Sequence, residues 1–327
     1  MKAFFSLLAL STALYALPDE LIDTMQEQEI ATTEEVALLE PEFIQNPVTS
    51  KELMPTDPIV KPSYKSPFLT TTLSTLFPGL GHLYLGDYGT ASALIVSAGL
   101  GNALVYEQLK RDSLNIPTLV TVQNIWSYSL YAAYRDVRSY NGETGYSYKM
   151  PKESLYDLTL APFRLSVLSK PAVWGGLLGT LAIASTIAYF AFPQEAYIHL
   201  SSKMEMPLMA FPIGVGEECL FRGYMQSQLS EYFSPWGGII LSSLAFGAMH
   251  IPNAQALEHE YRWRYYSFSL PFITALGTYF GWLTYKNQSL KESVALHTWY
   301  DFTLFLAGAL ASQAAIGQSS FAISLPF

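Results

Sequence analysis

The chain has 327 residues, of which 50% are hydrophobic and 14% are charged. Water-soluble domains seldom combine so many apolar residues with so few charges, so this composition predicts a membrane protein. The net charge of −9 gives no support to nucleic-acid binding. The single cysteine, Cys219, excludes an intrachain disulfide and a cysteine-based metal site.

The N-terminal part of the chain differs in character from the rest. Residues 1–17 combine Lys2 with an apolar run and then small residues, a pattern typical of a secretory signal peptide, with an uncleaved anchor as the alternative. The segment before Lys61 holds eleven acids against two bases and accounts for the whole net charge. Residues 18–66 show no sustained apolar period, which predicts a disordered acidic tail.

The remaining chain contains about eight apolar segments that are long enough to cross or deeply enter a bilayer. Backbone polar groups in lipid must be satisfied within the segment, so we expect an all-α, polytopic membrane fold. The segments lie at about residues 68–86, 89–106, 117–134, 171–192, 205–228, 236–251, 267–285 and 292–312. The basic connection 135–170 should face the cytoplasm, which places the N-terminal tail outside and fits a bacterial inner (plasma) membrane.

Residues 67–170 are expected to form a separate N-terminal membrane region. Pro78 and the glycines that follow it predict a break in the first segment and a tight helical hairpin. The stretch from Pro78 to Gly86 resembles the two-helix hairpins of TM2-like membrane domains, a resemblance that implies no chemistry. Within it we interpret His82 as a polar helix-contact residue rather than a ligand.

The segment around residues 205–228 contains Glu217, Glu218 and Arg222 in apolar surroundings. Each such charge costs on the order of 3 kcal/mol to insert, so these groups are expected to have a purpose. Glu218 and Arg222 are four residues apart and can pair, while Glu217 is turned by about 100° and is left without a cation on its own helix. Glu217 is therefore suited to take a proton from water. The alternative is a structural ion-pair network that locks two helices together.

Two later segments carry histidines at comparable depth. His250 follows Phe246 by one helical turn, and His297 precedes Asp301 by one turn. At about 1.5 Å per residue, Glu217, His250 and Asp301 all fall in the middle portion of a roughly 30 Å hydrocarbon core. Three helices can therefore bring these polar groups to one buried cavity.

Together these motifs resemble the CPBP family of CAAX proteases and bacteriocin-processing enzymes, over residues 171–312, with 313–327 as a C-terminal tail. The resemblance implies an intramembrane glutamic endopeptidase that needs no metal or other cofactor and acts on a membrane-associated polypeptide. It implies that Glu217 activates water with assistance from His250. His297 and Asp301 would stabilise the oxyanion, and Glu218 and Arg222 would support the site.

One position departs from the eukaryotic members, which have Asn where this chain has Asp301. A deprotonated Asp cannot donate a hydrogen bond to an oxyanion. Either Asp301 is protonated, or it orients His297, which then donates alone; we favour the second interpretation.

Three alternatives remain open. A zinc protease would use His250 and His297 with Asp301 or Glu217 as ligands, a permitted set, although the chain has no H-E-x-x-H motif. A cysteine nucleophile would pair Cys219 with His250, but Cys219 is turned by about 200° from Glu217 around the helix. A scaffold or binding protein could keep the fold without activity.

Overall fold

The computed structural model describes residues 63–111, 113, 115–192 and 206–317. These residues form helices and no strand, which confirms the all-α fold class. The predicted signal segment 1–17, most of the acidic tail 18–66 and the end of the C-terminal tail lie outside the described residues.

The first apolar segment folds as two short helices, α1 (Pro67–Leu76) and α2 (Leu80–Leu85). Gly79, which precedes α2, has φ +91°, a left-handed conformation that glycine adopts without steric cost. Gly86 closes α2 with φ +86°. The break predicted at Pro78 is therefore confirmed, and this segment is not a continuous spanning helix.

Two long helices follow, α3 (Tyr88–Lys110) and α4 (Ile116–Tyr140). Each begins at a side-chain cap that satisfies a free backbone N–H. Asp87 accepts a hydrogen bond from the N–H of Thr90, and Asn115 accepts one from Thr118. Helix α4 packs against α1 and α3, and it also packs against the helix Ala210–Glu218 of the C-terminal half. It therefore lies between the N-terminal helices and the C-terminal half.

The connection after α4 is held by buried charge. Arg138 is 1% exposed, and it donates to the carboxylates of Glu143 and Glu231 at 2.9 and 3.3 Å. It also donates to the carbonyl of Tyr148 at 2.7 Å. Two short helices, α5 (Leu155–Leu160) and α6 (Leu165–Leu168), lead from this connection to the C-terminal half.

The C-terminal half contains seven further α-helices among the described residues, two of them extended by π-helical segments. They are α7 (Pro171–Ala191), α8 (Ala210–Glu218) with the π-helical segment Cys219–Met225, α9 (Gln226–Tyr232), α10 (Pro235–Met249), α11 (Arg262–Arg264) with the π-helical segment Tyr265–Ser269, α12 (Leu270–Asn287) and α13 (Lys291–Gly317). Helix α13 therefore runs about five residues into the predicted tail 313–327.

Glycines let these helices approach closely around α8. A Cβ atom added at Gly214 would overlap Thr298 of α13, and one added at Gly216 would overlap the side chain of Asn124 on α4. Small residues at such contacts let helix backbones pack at short range. Helix α8 is thus fixed between α4 and α13.

Two described helices, α3 and α7, are long and apolar enough to span a membrane by length and composition. The prediction of about eight spans is therefore not confirmed. Among the other expected segments, the first is broken at Gly79, and the segment around α8 carries Glu217, Glu218 and Arg222.

Candidate active site

The predicted Glu218–Arg222 pair forms as expected. Arg222 Nη1 donates to Glu218 Oε1 at 2.9 Å, and both side chains are fully buried. Arg222 Nη2 also donates to the carbonyl of Gly277 on α12 at 3.1 Å, and its guanidinium lies 4.3 Å from the centre of the Phe246 ring. Arg222 stands in the π-helical segment that follows α8, and π-helical turns inside α-helices are frequent at functional sites.

His297 lies among three carboxylates. Its Nδ1 is 2.9 Å from Glu218 Oε1, and its Nε2 is 3.4 Å from Asp301 Oδ2 and 3.9 Å from Glu217 Oε2. Glu218 is already bound by Arg222 and accepts from His297, so Nδ1 carries a hydrogen. The imidazole stacks on Phe280 at 5.0 Å, which fixes the plane of the ring. Its Nε2 is therefore directed at the space between Glu217 and Asp301.

This geometry adds to the interpretation of Asp301. We expected Asp301 to orient His297, and the structure places Asp301 near Nε2 of His297 and Glu218 at the opposite nitrogen, Nδ1. Sequence spacing could not reveal the Glu218 contact, because it joins α8 to α13 across 79 positions of the chain. The spacing showed only the neighbour on the same helix, Asp301.

His250 is the C-cap of α10, and both its side chain and its backbone are hydrogen-bonded. Its Nδ1 is 2.8 Å from the carbonyl of Phe246, which can only accept, so Nδ1 carries a hydrogen and Nε2 of the neutral ring is an acceptor. The hydroxyl of Tyr265 donates to the carbonyl of His250 at 3.0 Å. The sequence reasoning missed Tyr265, since a tyrosine fifteen residues away gives no local signal of this contact.

Phe246 connects the two histidines. The centre of its ring lies 4.7 Å from that of His250 and 5.9 Å from that of His297. Glu217 is within electrostatic range of both histidines. The structure therefore brings all six predicted site residues together: Glu217, Glu218, Arg222, His250, His297 and Asp301.

Access divides these residues into two groups. Glu218 and Arg222 are fully buried, whereas the side chains of Glu217 and Asp301 are 18% and 16% exposed. Within the described part of the chain neither Glu217 nor Asp301 has an Arg or Lys partner, and Glu217 Oε2 has no hydrogen-bond partner. The open edge of the site thus consists of two carboxylates beside His297 and the half-buried His250.

The other candidate residues lie elsewhere. Cys219 is buried in an apolar cluster with Tyr128 and Tyr131 of α4. His82 is fully buried, and its Nε2 is 3.2 Å from Asp136 on α4, a helix contact as expected. The described residues include no group of three or more His, Cys, Asp and Glu side chains arranged to hold a metal ion.

Part of the chain matches a known protein family. Residues 200–303 match the family described as type II CAAX prenyl endopeptidase, Rce1-like. This region is an Rce1-like domain. No curated protein and no solved structure matches the chain.

Residues 200–303 are thus similar to a family of membrane-embedded proteases. All six candidate site residues lie inside the matched range. Helices α1–α7 lie outside it. The family predicted from the three motifs is thus confirmed, over a shorter stretch than the expected 171–312, and the chain is a membrane protein.

Proposed function

We propose that the protein is an intramembrane glutamic endopeptidase that hydrolyses peptide bonds of membrane-associated polypeptides without a metal ion. The observation that carries this proposal is the carboxylate of Glu217, which has no Arg or Lys partner among the described residues and lies 3.9 Å from Nε2 of His297, an imidazole that Glu218 holds at Nδ1. A base for water and a donor for the oxyanion, side by side, are the two groups that peptide hydrolysis requires.

Glu217 is the proposed general base. A carboxylate can accept a proton from water only if no cation already binds it tightly. Among the described residues Glu217 has no Arg or Lys partner, and Nε2 of His297 is 3.9 Å away, beyond hydrogen-bond distance. It takes one proton as the water oxygen attacks the carbonyl carbon. The same proton then passes to the leaving amine when the C–N bond breaks, so the carboxylate is regenerated.

His250 is proposed to hold the attacking water. Its Nδ1–H is used by the carbonyl of Phe246, so Nε2 is free to accept a hydrogen bond from water. Tyr265 fixes the backbone of His250, and this limits the movement of the imidazole. Two acceptors, Glu217 and His250, then orient the water lone pair toward the substrate.

His297 is proposed to stabilise the oxyanion through Nε2–H. Glu218 fixes Nδ1 and Arg222 fixes Glu218, so the donor is oriented before substrate binds. Preorganised donors of this kind contribute about 100- to 1,000-fold to acyl-transfer rates. Asp301, 3.4 Å from the same Nε2, is proposed to keep His297 protonated in the absence of substrate.

The substrate is proposed to be a polypeptide that reaches the site from the lipid bilayer. The Rce1-like domain supports this class of substrate. We further propose a bacterial inner (plasma) membrane location with the N-terminal tail outside. Because Cys219 is buried, labelling of a Ser50→Cys variant by a membrane-impermeant maleimide in intact cells and in lysed cells tests this orientation.

The test of the catalytic proposal is cleavage of a membrane-peptide library by the reconstituted protein. Wild type, Glu217→Gln and the control Glu107→Gln are compared, each with and without a strong chelator. Glu107 is a half-exposed glutamate on α3, so its variant controls for the substitution itself. We expect new peptide termini from wild type and from Glu107→Gln, none from Glu217→Gln, and no effect of the chelator.

Two other outcomes would replace the proposal. If the chelator abolishes cleavage and zinc restores it, the protein is a zinc protease, an alternative for which the described side chains present no ligand group. If wild type and Glu217→Gln behave alike, the catalytic proposal fails. A scaffold that keeps the fold of the family then becomes the better interpretation.

A further inference from the structure

The residue before the proposed base is in direct contact with a helix outside the Rce1-like match. Gly216 on α8 packs against Asn124 of α4. The three atoms nearest to a Cβ added at Gly216 are Oδ1, Cγ and Cβ of Asn124, and all three would overlap it. Asn124 therefore occupies the space that any other residue at position 216 would need.

The side chain of Asn124 is itself held in place. Its Nδ2 donates to the carbonyl of Val120, one turn earlier on α4, at 3.0 Å. The half-buried amide thus has a fixed orientation, with the carbonyl end against the backbone of Gly216. A wedge of fixed shape sets the separation of two helices more closely than a freely rotating side chain would.

A second contact of the same kind fixes α4 further along. A Cβ added at Gly223, in the π-helical segment, would overlap the ring of Tyr131 on α4. Glu217, Glu218 and Arg222 lie between these two contacts.

Helix α4 is in turn braced by the N-terminal hairpin. The indole N–H of Trp126 donates to the carbonyl of Thr75 at 2.9 Å, and Ser129 Oγ accepts from the N–H of Gly79 at 3.2 Å. Helix α4, which contacts the residue before Glu217, is therefore anchored to α1 and to the turn before α2.

We propose that Asn124 is a positioning residue for Glu217, and that α1–α4 form part of the enzyme rather than a separate module. The proposal rests on the glutamic peptidase function above. Asn124 acts through the backbone of Gly216, which carries any shift of α8 directly to the next residue. A displacement of about 1 Å in a catalytic group can cost about 100-fold in rate, so a contact of this kind affects turnover more than substrate binding.

The test makes residue 124 smaller and residue 216 larger, first separately and then together. Four proteins are compared with wild type: Asn124→Ala, Asn124→Gly, Gly216→Ala and the double variant Asn124→Gly/Gly216→Ala. Turnover number, KM and melting temperature are measured for each in the same detergent. Ala is the better helix former, so a loss in Gly216→Ala must come from its contacts and not from helix propensity.

Matched controls exist on other helices. Asn102 on α3 is also half-buried and donates to the carbonyl four residues earlier, at 2.8 Å, so Asn102→Ala and Asn102→Gly repeat the same chemistry away from α8. Gly175 on α7 has open space where a Cβ would stand, so Gly175→Ala controls for the glycine substitution.

We expect Asn124→Ala to lower kcat about tenfold with KM unchanged, and Gly216→Ala to lower it about 100-fold. The double variant should recover at least tenfold over Gly216→Ala, and the controls should keep wild-type kcat. The proposal is overturned if the kcat of the double variant is no higher than that of Gly216→Ala. It is also overturned if Asn124→Ala and Gly216→Ala lower the melting temperature but leave kcat unchanged. If wild type cleaves nothing, the glutamic peptidase function fails instead, and the melting temperatures alone report whether the Asn124–Gly216 contact exists.

Discussion

Two buried histidines in this protein each face a carboxylate, and only one of them has the electrostatics of a reactive site. In the N-terminal hairpin, His82 contacts Asp136, and Arg135 binds the same carboxylate through two nitrogens at 2.7 and 2.9 Å. In the Rce1-like domain, His297 contacts Glu218, which Arg222 binds at 2.9 Å. Up to this point the two clusters are built alike.

The difference is the number of carboxylates for each cation. Among the described residues, the one carboxylate in ion-pair contact with His82 is that of Asp136, which Arg135 binds, so this cluster is balanced. The His297 cluster has Glu217 and Asp301 in addition, both partly open and without a Lys or Arg partner among the described residues. Buried residues with unbalanced charge are where proton transfer is expected, and balanced pairs are more often structural. The comparison therefore supports the proposal that Glu217 and Asp301, the surplus acids, act in the reaction.

The largest expected effect follows from removing the surplus charge at Glu217. Glu217→Gln keeps the shape of the side chain but cannot accept a proton, so kcat should fall by about 1,000-fold, within the range of about 100- to 10,000-fold for loss of a general base. The fold should be intact, and the melting temperature should not fall. Asp136→Asn makes the same chemical change in the balanced cluster and should leave kcat within about twofold of wild type. Equal losses in both variants would remove the distinction between the clusters.

The next effect separates stability from activity at the Glu218–Arg222 pair. Arg222→Met leaves Glu218 buried without its cation, and it should destabilise the protein by about 3–5 kcal/mol. Glu218→Leu/Arg222→Met removes both charges and should regain most of that stability, because an apolar pair of similar volume avoids the desolvation cost. Activity should stay lost in the double variant, since His297 no longer has its Nδ1 acceptor. Recovery of kcat together with melting temperature would show that Glu218 is only structural.

Asp301 allows a finer test of the second surplus acid. An Asn side chain can donate to an oxyanion, so Asp301→Asn should retain activity within about tenfold of wild type. Asp301→Leu removes the carboxylate that keeps His297 protonated, so the Nε2–H donor should be lost and activity should fall about 100-fold, the scale for one oxyanion donor. Steady-state kinetics on the same substrate decide this, and equal activity of the two variants would exclude a role for the polar atoms of residue 301.

A smaller effect is expected from the balanced cluster itself. His82→Leu leaves Asp136 bound to Arg135, so the charge remains paired and only one hydrogen bond is lost. We expect a loss of about 1–3 kcal/mol in unfolding free energy with kcat unchanged, measured by denaturant titration in detergent. A drop in kcat larger than the loss of folded protein would place His82 in the mechanism after all.

The smallest effect concerns pH and the network around Arg138. Burial by itself would raise the pKa of Glu143, but the hydrogen bond from Lys152 and the charge of Arg138 outweigh it and lower that pKa below its usual 4.5. A lowered pKa in the folded state stabilises the protein above pH 4.5, and this contribution is lost as the pH falls below that value. The melting temperature of wild type should therefore drop as the pH falls from about 5 to about 3, and Glu143→Gln should show a shallower drop. Parallel pH curves would contradict this assignment.

The sequence by itself determined what depends on neighbours along one helix. The all-α class followed from the apolar segments, the break before α2 followed from Pro78 and Gly79, and the Glu218–Arg222 pair followed from its spacing of four. All three are confirmed by the structure. Helical periodicity is a local property, so it can be read without knowledge of the packing.

Only the tertiary structure decided which helices meet and in which register. It assigned Glu218 to Nδ1 of His297, placed Asp301 near Nε2, and brought Tyr265 to the backbone of His250. It also placed Asn124 against Gly216. Such contacts join residues far apart in the chain through side-chain shape and glycine gaps, and a shift of one residue in helix register would replace every one of them.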